Sequence, residues 1–378
     1  MGSNEQNGSD ASPIETARKP IVCFLGPISS YTHQATMRAF SEEEYELMPV
    51  RTIKDIFDTT QSGRATYGVV PFENSTNGSV VFTLDHFADR AGLYPDLNVC
   101  REIYLDVHHC IVGYIAKSSS SLPTTTPSAP SQPPQDTINP SSPAPCAQPQ
   151  HSLAHIQRLY SHPQAFGQCT QFLSTYLRGV ETIDASSTSR AAELVKAEAE
   201  AEAAKDHPDA PVAAAAAISS AVAAELLGLD VLARNVEDRA DNTTRFFVLR
   251  KGVASPSPSA GAAGEDATIL AQTKTLVSFT VPHRSPGALA DALEGFRAAG
   301  LNLTSIASRP SLGPADEPFQ YVFFVEFEGH RLHDPSGRVG RALERVAAVA
   351  RKWRWLGSWR NERARGRPGE GEGEGKMV

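Results

Sequence analysis

Short apolar runs alternate along the chain with longer segments whose apolar residues recur every three or four positions. IVCFL at 21–25 and TYGVVPF at 66–72 are compact apolar runs bounded by polar turns, as expected of strands buried on both faces. A helical pattern near 32–40 follows the first run, and VFTLDHFADR at 81–90 predicts another helix. Residues 103–112 read as extended, and 158–160, 180–183 and 212–218 read as further strands with helices between them. Strands alternating with helices predict an α/β block with mostly parallel sheets, whose ligands bind beyond the carboxyl ends of strands.

A second block begins near 273. KTLVSFTV at 274–281 predicts a strand, and PGALADALEGFRAAG at 286–300 a helix with Leu289, Leu293 and Phe296 on one face. LNLTSIASRP and FQYVFFVEFEG supply two more strands. A second helix carries Val339, Leu343, Val346 and Val349, and WRWLG at 353–357 closes as a strand. The order βαββαβ is a ferredoxin-like unit.

Three biased segments punctuate the blocks. The Pro/Ser-rich stretch at 117–150 has too few large apolar residues to form a core and reads as a disordered insertion. The Ala/Glu-rich stretch at 196–209 extends a helix that begins near Thr188, and the Ala/Gly/Ser/Pro-rich stretch at 252–266 marks a linker. The predicted organisation is therefore a disordered N-terminus at 1–19, a first domain at 20–250, a linker at 251–272, a second domain at 273–360 and a disordered tail at 361–378.

Composition removes several function classes. No apolar run approaches the roughly 20 residues of a membrane helix, and the first twenty residues mix acids with Arg18 and Lys19 around no apolar centre, so a cytoplasmic location is expected. The net charge of -8 disfavours a nucleic-acid surface despite the basic run at 360–367. Five widely spaced cysteines without a CxxC pair read as free thiols. His108 and His109 have no carboxylate or cysteine at ligand spacing, so neither a metal nor another cofactor is expected.

Chemistry concentrates in four polar clusters bordered by apolar runs: FLGPISSYTHQA at 24–35, ENSTNGS at 73–79, YSHPQAFGQC at 160–169 and NTTRFFVL at 242–249. The last sets Thr243, Thr244 and the fixed charge of Arg245 at the start of a strand, where an anion can be held; a plain turn cap is the alternative. Arg245 pairs either with a ligand carboxylate or with an internal acid such as Glu73, while Phe246 and Phe247 read as core and cleft wall. ENSTNGS is expected to open a helix whose amides, with Asn74, Ser75 and Thr76 beside them, seat a carboxylate, Gly78 permitting close approach. Ser161, His162, Gln164 and Gln168 follow a strand, with Gln168 one helical turn after Gln164 so that both amides face a cleft. No GxSxG elbow is present. Ser29, Thr32 and His33 are a third contribution, with a helix cap as the alternative.

These clusters, in this order, resemble prephenate dehydratase from about Ile21 to Leu249, and PGAL with SRP in the second block resembles an ACT domain. The resemblance implies a two-lobed catalytic domain like type 2 periplasmic binding proteins, with one lobe at about 20–101 and 234–250 and the other at about 102–233. It implies decarboxylating dehydration of prephenate to phenylpyruvate, with Thr244 at the leaving hydroxyl, Glu73, Asn74 and Gln168 as further catalytic residues, and Ser75, Thr76, Gly78, Ser161, His162, Gln164, Thr243, Arg245, Phe246, Ser29 and Thr32 around the substrate. It also implies feedback by phenylalanine at Gly287, Ala288, Leu289, Ser308, Arg309 and Pro310, in a homodimer or homotetramer. Arogenate dehydratase and a non-catalytic amino-acid sensor are the competing readings. Ser29 and Ser30 stand where the family tends to have glycine and threonine, and Ala307 replaces the glutamate of ESRP. Only about twenty polar residues precede Pro20, so no chorismate mutase segment is expected and the protein reads as monofunctional.

Overall fold

The computed structural model describes residues 18–116, 145, 147–204, 214–252, 270–313, 316 and 318–365. The expected disorder at 1–17, most of the insertion, the linker at 253–269 and the tail from 366 lie outside the described residues.

The first lobe is built on β1 (Ile21–Leu25), β2 (Glu46–Val50), β3 (Tyr67–Asn74), β4 (Gly78–Ser79), β5 (Leu97–Asp106) and β11 (Thr243–Lys251). Strand β1 lies parallel to β2 and β3, and β11 lies antiparallel between β3 and β5. Helices α1 (Tyr31–Ala39), α2 (Ile53–Gln61) and α3 (Val81–Ala88) cover this sheet. The second lobe has its own sheet, in the order β10 (Asp230–Arg234), β6 (Cys110–Gly113), β9 (Ala215–Ser219), β7 (Arg158–Ser161), β8 (Glu181–Asp184). Around it lie α4 (Pro163–Gly167), α5 (Thr170–Tyr176), α6 (Thr188–Ala203) and α7 (Ala221–Leu227).

The C-terminal domain runs β12 (Thr273–Thr280), α8 (Ala288–Ala298), β13 (Leu303–Pro310), β14 (Tyr321–Glu328), α9 (Arg338–Val349), β15 (Lys352–Arg360). Its antiparallel order β13-β14-β12-β15 is the expected ferredoxin-like arrangement. Strand β15 meets β5 through the Gly357–Val99 pair, which makes the C-terminal sheet continuous with that of the first lobe. A side chain at Gly357 is excluded, since a Cβ there would lie 2.1 Å from the Val99 carbonyl oxygen. The two units also share a core in which Phe247 and Leu249 pack with Leu276, Phe324, Leu356 and Trp359.

Three boundaries differ from the sequence reading. Glu102 sits opposite Phe247 in the β5–β11 ladder, so β5 belongs to the first lobe through Asp106 and the crossover follows it rather than falling at Glu102. Pro149 bridges Ala233 and the Gln150 amide donates to Leu232, which returns the chain to the fold before residue 150. Asn361 and Glu362 are tied back, the Glu362 amide donating to Glu102 at 3.0 Å, so the folded part extends beyond 360. Strands β2 and β10 were not anticipated; Glu46 and Pro49 interrupt the apolar pattern of β2, which its edge position tolerates. No helix among the described residues is long and apolar enough to cross a membrane.

Candidate active site and effector cavity

Parallel strands bring their carboxyl ends to one edge, and the two sheets turn those edges toward each other. On the first lobe this edge carries Ser29 after β1, Asn74 at the end of β3 and Thr244 near the start of antiparallel β11. On the second it carries Ser161 at the end of β7, Ser219 at the end of β9 and His109 just before β6, whose Cys110 pairs with Ser219. Side-chain contacts close the lobes on each other, among them Gln168 Nε2 to Thr76 Oγ1 at 2.8 Å, Asn242 Nδ2 to Gln168 Oε1 at 3.3 Å, Tyr31 OH to His109 Nδ1 at 2.9 Å, and Gln34 Nε2 to Ser220 Oγ at 3.0 Å.

ENSTNGS does not open a helix. It is the hairpin turn between β3 and β4, with Gly78 at φ 77°, and α3 starts only at Val81. The reason lies in Asn74, whose Oδ1 accepts from the amides of Thr76 and Asn77 and from the Thr76 hydroxyl, forming an Asx turn. With the oxygen so engaged, the amide nitrogen must point the other way. It donates to Thr244 Oγ1 at 3.0 Å and to Asn242 Oδ1 at 2.8 Å. Thr244 Oγ1 therefore accepts, and its own proton is left for another oxygen.

His109, which the sequence reading left without a role, completes the row. It is 2 % exposed, and its Nε2 lies 2.8 Å from Gln168 Oε1. With Nε2 donating there, Nδ1 accepts from Tyr31. Burial keeps His109 below the usual imidazole range and therefore neutral, and burial pushes the Tyr31 hydroxyl well above its usual value. Glu237 receives the His109 amide at 2.8 Å and holds the neighbouring His108 ring. No cluster of His, Cys, Asp or Glu among the described residues could hold a metal.

Strand alternation divides the expected site. Thr244, Phe246 and Val248 share one face of β11, with Phe246 and Val248 packed against Val22 and Phe24. Arg245 faces the other way, over the rings of Phe72 and Phe247, and Glu73 stands opposite it in the ladder. Arg245 does pair with an internal acid, but not with Glu73. It donates to Glu102 at 2.6 and 3.0 Å and to Glu326 of β14 at 2.5 Å. Thr243 and Ser75 clamp the start of β11 to the hairpin turn, the Thr243 amide donating to Ser75 Oγ at 2.9 Å and its hydroxyl to Asp106.

The remaining expected residues fall into three groups. Phe246 packs in the core of the first lobe, and Thr32 is buried in the first turn of α1. His162 caps α4, Ser161 donates to the Ile218 carbonyl, and Gln164 is exposed while Gln168 alone reaches the other lobe. Ser29 holds φ 83°, a left-handed conformation that suits glycine, which accounts for the family's preference there. The Ser29 and Ser219 hydroxyls are both buried without a partner among the described residues.

In the C-terminal domain Gly287, Ala288 and Leu289 border a cavity of about 230 Å³ at the start of α8, with Tyr321 and Phe323 of β14 on its wall. Ser308, Arg309 and Pro310 lie opposite Phe323, Val322 and Tyr321 in the neighbouring strand. Arg309 is engaged elsewhere, with Asp85 of α3 at 2.7 and 3.0 Å, and the Pro310 carbonyl accepts from Arg90.

The sequence model of the prephenate dehydratase family matches residues 22–132 and 144–253. The chain is 32 % identical over 346 residues to a bifunctional chorismate mutase/prephenate dehydratase of Aquifex aeolicus, covering 92 % of this chain and 75 % of that protein. It is 29 % identical to a probable prephenate dehydratase of Saccharomyces cerevisiae, covering 90 % and 97 %. Among solved structures, a prephenate dehydratase of Arthrobacter aurescens in complex with L-Phe superposes with a TM-score of 0.66 at 26 % identity over 91 % of each chain. With two facing sheets, a hydroxyl presented between them and a ferredoxin-like C-terminal unit, the chain belongs to the prephenate dehydratase family.

Proposed function

We propose that the cleft between the lobes converts prephenate to phenylpyruvate, with Thr244 at the departing hydroxyl. Prephenate carries a ring carboxylate, a pyruvyl side chain with a second carboxylate, and a hydroxyl on the opposite ring carbon. Breaking the bond to the ring carboxylate releases carbon dioxide and sends its electron pair into the ring, the hydroxyl leaves, and the ring becomes aromatic. The enzyme's task is to fix the dianion and stabilise the departing oxygen. A threonine hydroxyl is too weak an acid to give up its proton outright at neutral pH, so its role is a strong hydrogen bond to that oxygen.

The observation that carries this reading is the Asn74–Thr244 bond, which makes the threonine an acceptor toward Asn74 and aims its donor capacity elsewhere. The unpartnered hydroxyls of Ser29 and Ser219 support a carboxylate seat at the same edge, beside the start of α1. Formation of phenylpyruvate from prephenate by the purified protein, followed spectrophotometrically with arogenate in parallel, tests the assignment. Turnover of arogenate alone would replace prephenate as the substrate.

We further infer that the cavity beside Gly287 binds phenylalanine, in an enzyme that acts in the cytoplasm as a homodimer or dimer of dimers. Backbone groups at the start of α8 and a left-handed Gly287, φ 81°, suit an ammonium and a carboxylate without a charged side chain. The Arthrobacter relative was solved with L-Phe. Calorimetry with phenylalanine and a mass measurement in solution test this.

A further inference from the structure

The side of β11 away from the cleft holds a buried, charge-balanced group. Glu102, Arg245, Lys274 and Glu326 are at most 6 % exposed. Lys274 Nζ lies 3.3 Å from both Glu102 carboxylate oxygens and 3.7 Å from Glu326. Thr304 of β13 donates to Glu326 at 2.6 Å, fixing that carboxylate from the side of the C-terminal domain. Two acids and two bases leave no net charge, so the group tolerates burial while every member depends on the others.

Strand β14 reaches both ends of the domain. Tyr321 and Phe323 line the cavity beside Gly287, and Glu326, three residues on and therefore ~10 Å along an extended strand, grips Arg245. Arg245 is covalently next to Thr244 and projects from the opposite face of the same strand. A shift of β14 along its axis thus pulls on the guanidinium and tilts the strand end that presents the Thr244 hydroxyl. Packed strands move as units rather than deforming continuously, which suits β14 to carry such a displacement.

We propose that β14 couples the Gly287 cavity to the cleft, Glu326 acting on Thr244 through Arg245. This rests on the reading of that cavity as the phenylalanine site and of Thr244 as the donor. The test is the full-length protein carrying Lys274→Met together with Glu326→Gln, which removes one charge of each sign and keeps the Arg245–Glu102 pair. Prephenate turnover is measured with and without saturating phenylalanine, and phenylalanine binding by calorimetry. The variant is expected to bind phenylalanine with a Kd within about threefold of the parent and to turn over prephenate within about threefold. The change in turnover caused by phenylalanine should shrink to less than about twofold, against the roughly 5- to 150-fold of ordinary allosteric coupling.

A variant that binds phenylalanine and responds to it as the parent does would overturn the coupling. So would loss of phenylalanine binding, which would make the pair a support of the cavity, or collapse of unliganded turnover in a folded variant, which would make it part of catalysis. If the double variant does not fold, Thr304→Val loosens Glu326 without changing charge and should weaken the response in the same direction. A parent enzyme that binds phenylalanine with no change in turnover sinks the coupling alone; one that binds none sinks the reading of the cavity as well.

Discussion

Asn74 donates to the Thr244 hydroxyl at 3.0 Å because its own oxygen is already held by the amides of Thr76 and Asn77. The hairpin turn therefore dictates the direction of a hydrogen bond at the site. Thr244→Ala should lower prephenate turnover by about 10² or more, the usual loss on removing one transition-state donor, with a smaller effect on KM. Thr244→Ser should retain more activity. Asn74→Asp replaces the donor by a second acceptor facing Thr244 and should draw its proton away, with a loss of similar size. Near-parental turnover in Thr244→Ala, measured by phenylpyruvate formation, would remove Thr244 from the mechanism.

His109 predicts an acid limb. Burial lowers its pKa in the folded protein below the usual ~6.5, so the ring is neutral at physiological pH and gains its proton only as the pH falls through the lowered value. Protonation removes the lone pair that receives the Tyr31 hydroxyl. Turnover should hold steady from pH 8 to below 6.5 and then decline, and His109→Gln should flatten that decline. A pH–rate profile with its acid limb above 6.5 would contradict the assignment.

Ser29 stores backbone strain and carries a buried hydroxyl with no partner among the described residues. Ser29→Gly relieves the left-handed conformation and should stabilise the protein by about 1 kcal/mol in urea unfolding. The same change removes a hydroxyl assigned to the substrate carboxylate, so KM should rise about fivefold, the effect of one ordinary hydrogen bond. A rise in stability with an unaltered KM would leave Ser29 as a loop residue only.

Glu102 links stability to pH. Burial alone would raise its carboxyl, but the charges of Arg245 and Lys274 outweigh burial and hold it below the usual glutamate range. Because the folded pKa is depressed, its stabilisation is fully present above the unfolded value of about 4.3 and is lost as pH falls through the lower folded value. Glu102→Gln should therefore lower the melting midpoint by a constant amount between pH 5 and 8, and the gap to the parent should narrow below about pH 4. Glu102→Ala, which leaves Arg245 with less compensation, should cost about 3–5 kcal/mol. A gap that widens in acid would contradict the depressed carboxyl.

The C-terminal domain was legible in the sequence almost strand by strand, because KTLVSFTV and the Leu289–Leu293–Phe296 face follow the plain periods of strand and helix. Thr244, Asn74 and Gln168 were legible as members of polar clusters at strand ends; Asn74 meets Thr244 directly, and Gln168 joins them through Thr76 and Asn242. The hairpin at 74–79 was misread because Ser, Thr and Asn serve equally as helix caps and as turn formers, and only the contacts of Asn74 Oδ1 decide between them. The partners of Arg245 could not be read locally: Glu102 and Glu326 lie 143 and 81 residues away along the chain. Tyr31 and His109, 78 residues apart, meet only because two separate sheets face each other.

The ring of Phe247 packs edge-on against Trp359 at 5.0 Å, inside a core to which β11 and β15 both contribute. Neither half can bury that surface alone. A chain ending near residue 252 would expose the back of β11 to water, and during synthesis that face stays uncovered until β12, β14 and β15 have emerged. Calorimetry of the intact protein should accordingly record the first lobe and the C-terminal domain melting as one cooperative transition, with the amides of the Phe247 strand among the slowest to exchange with solvent.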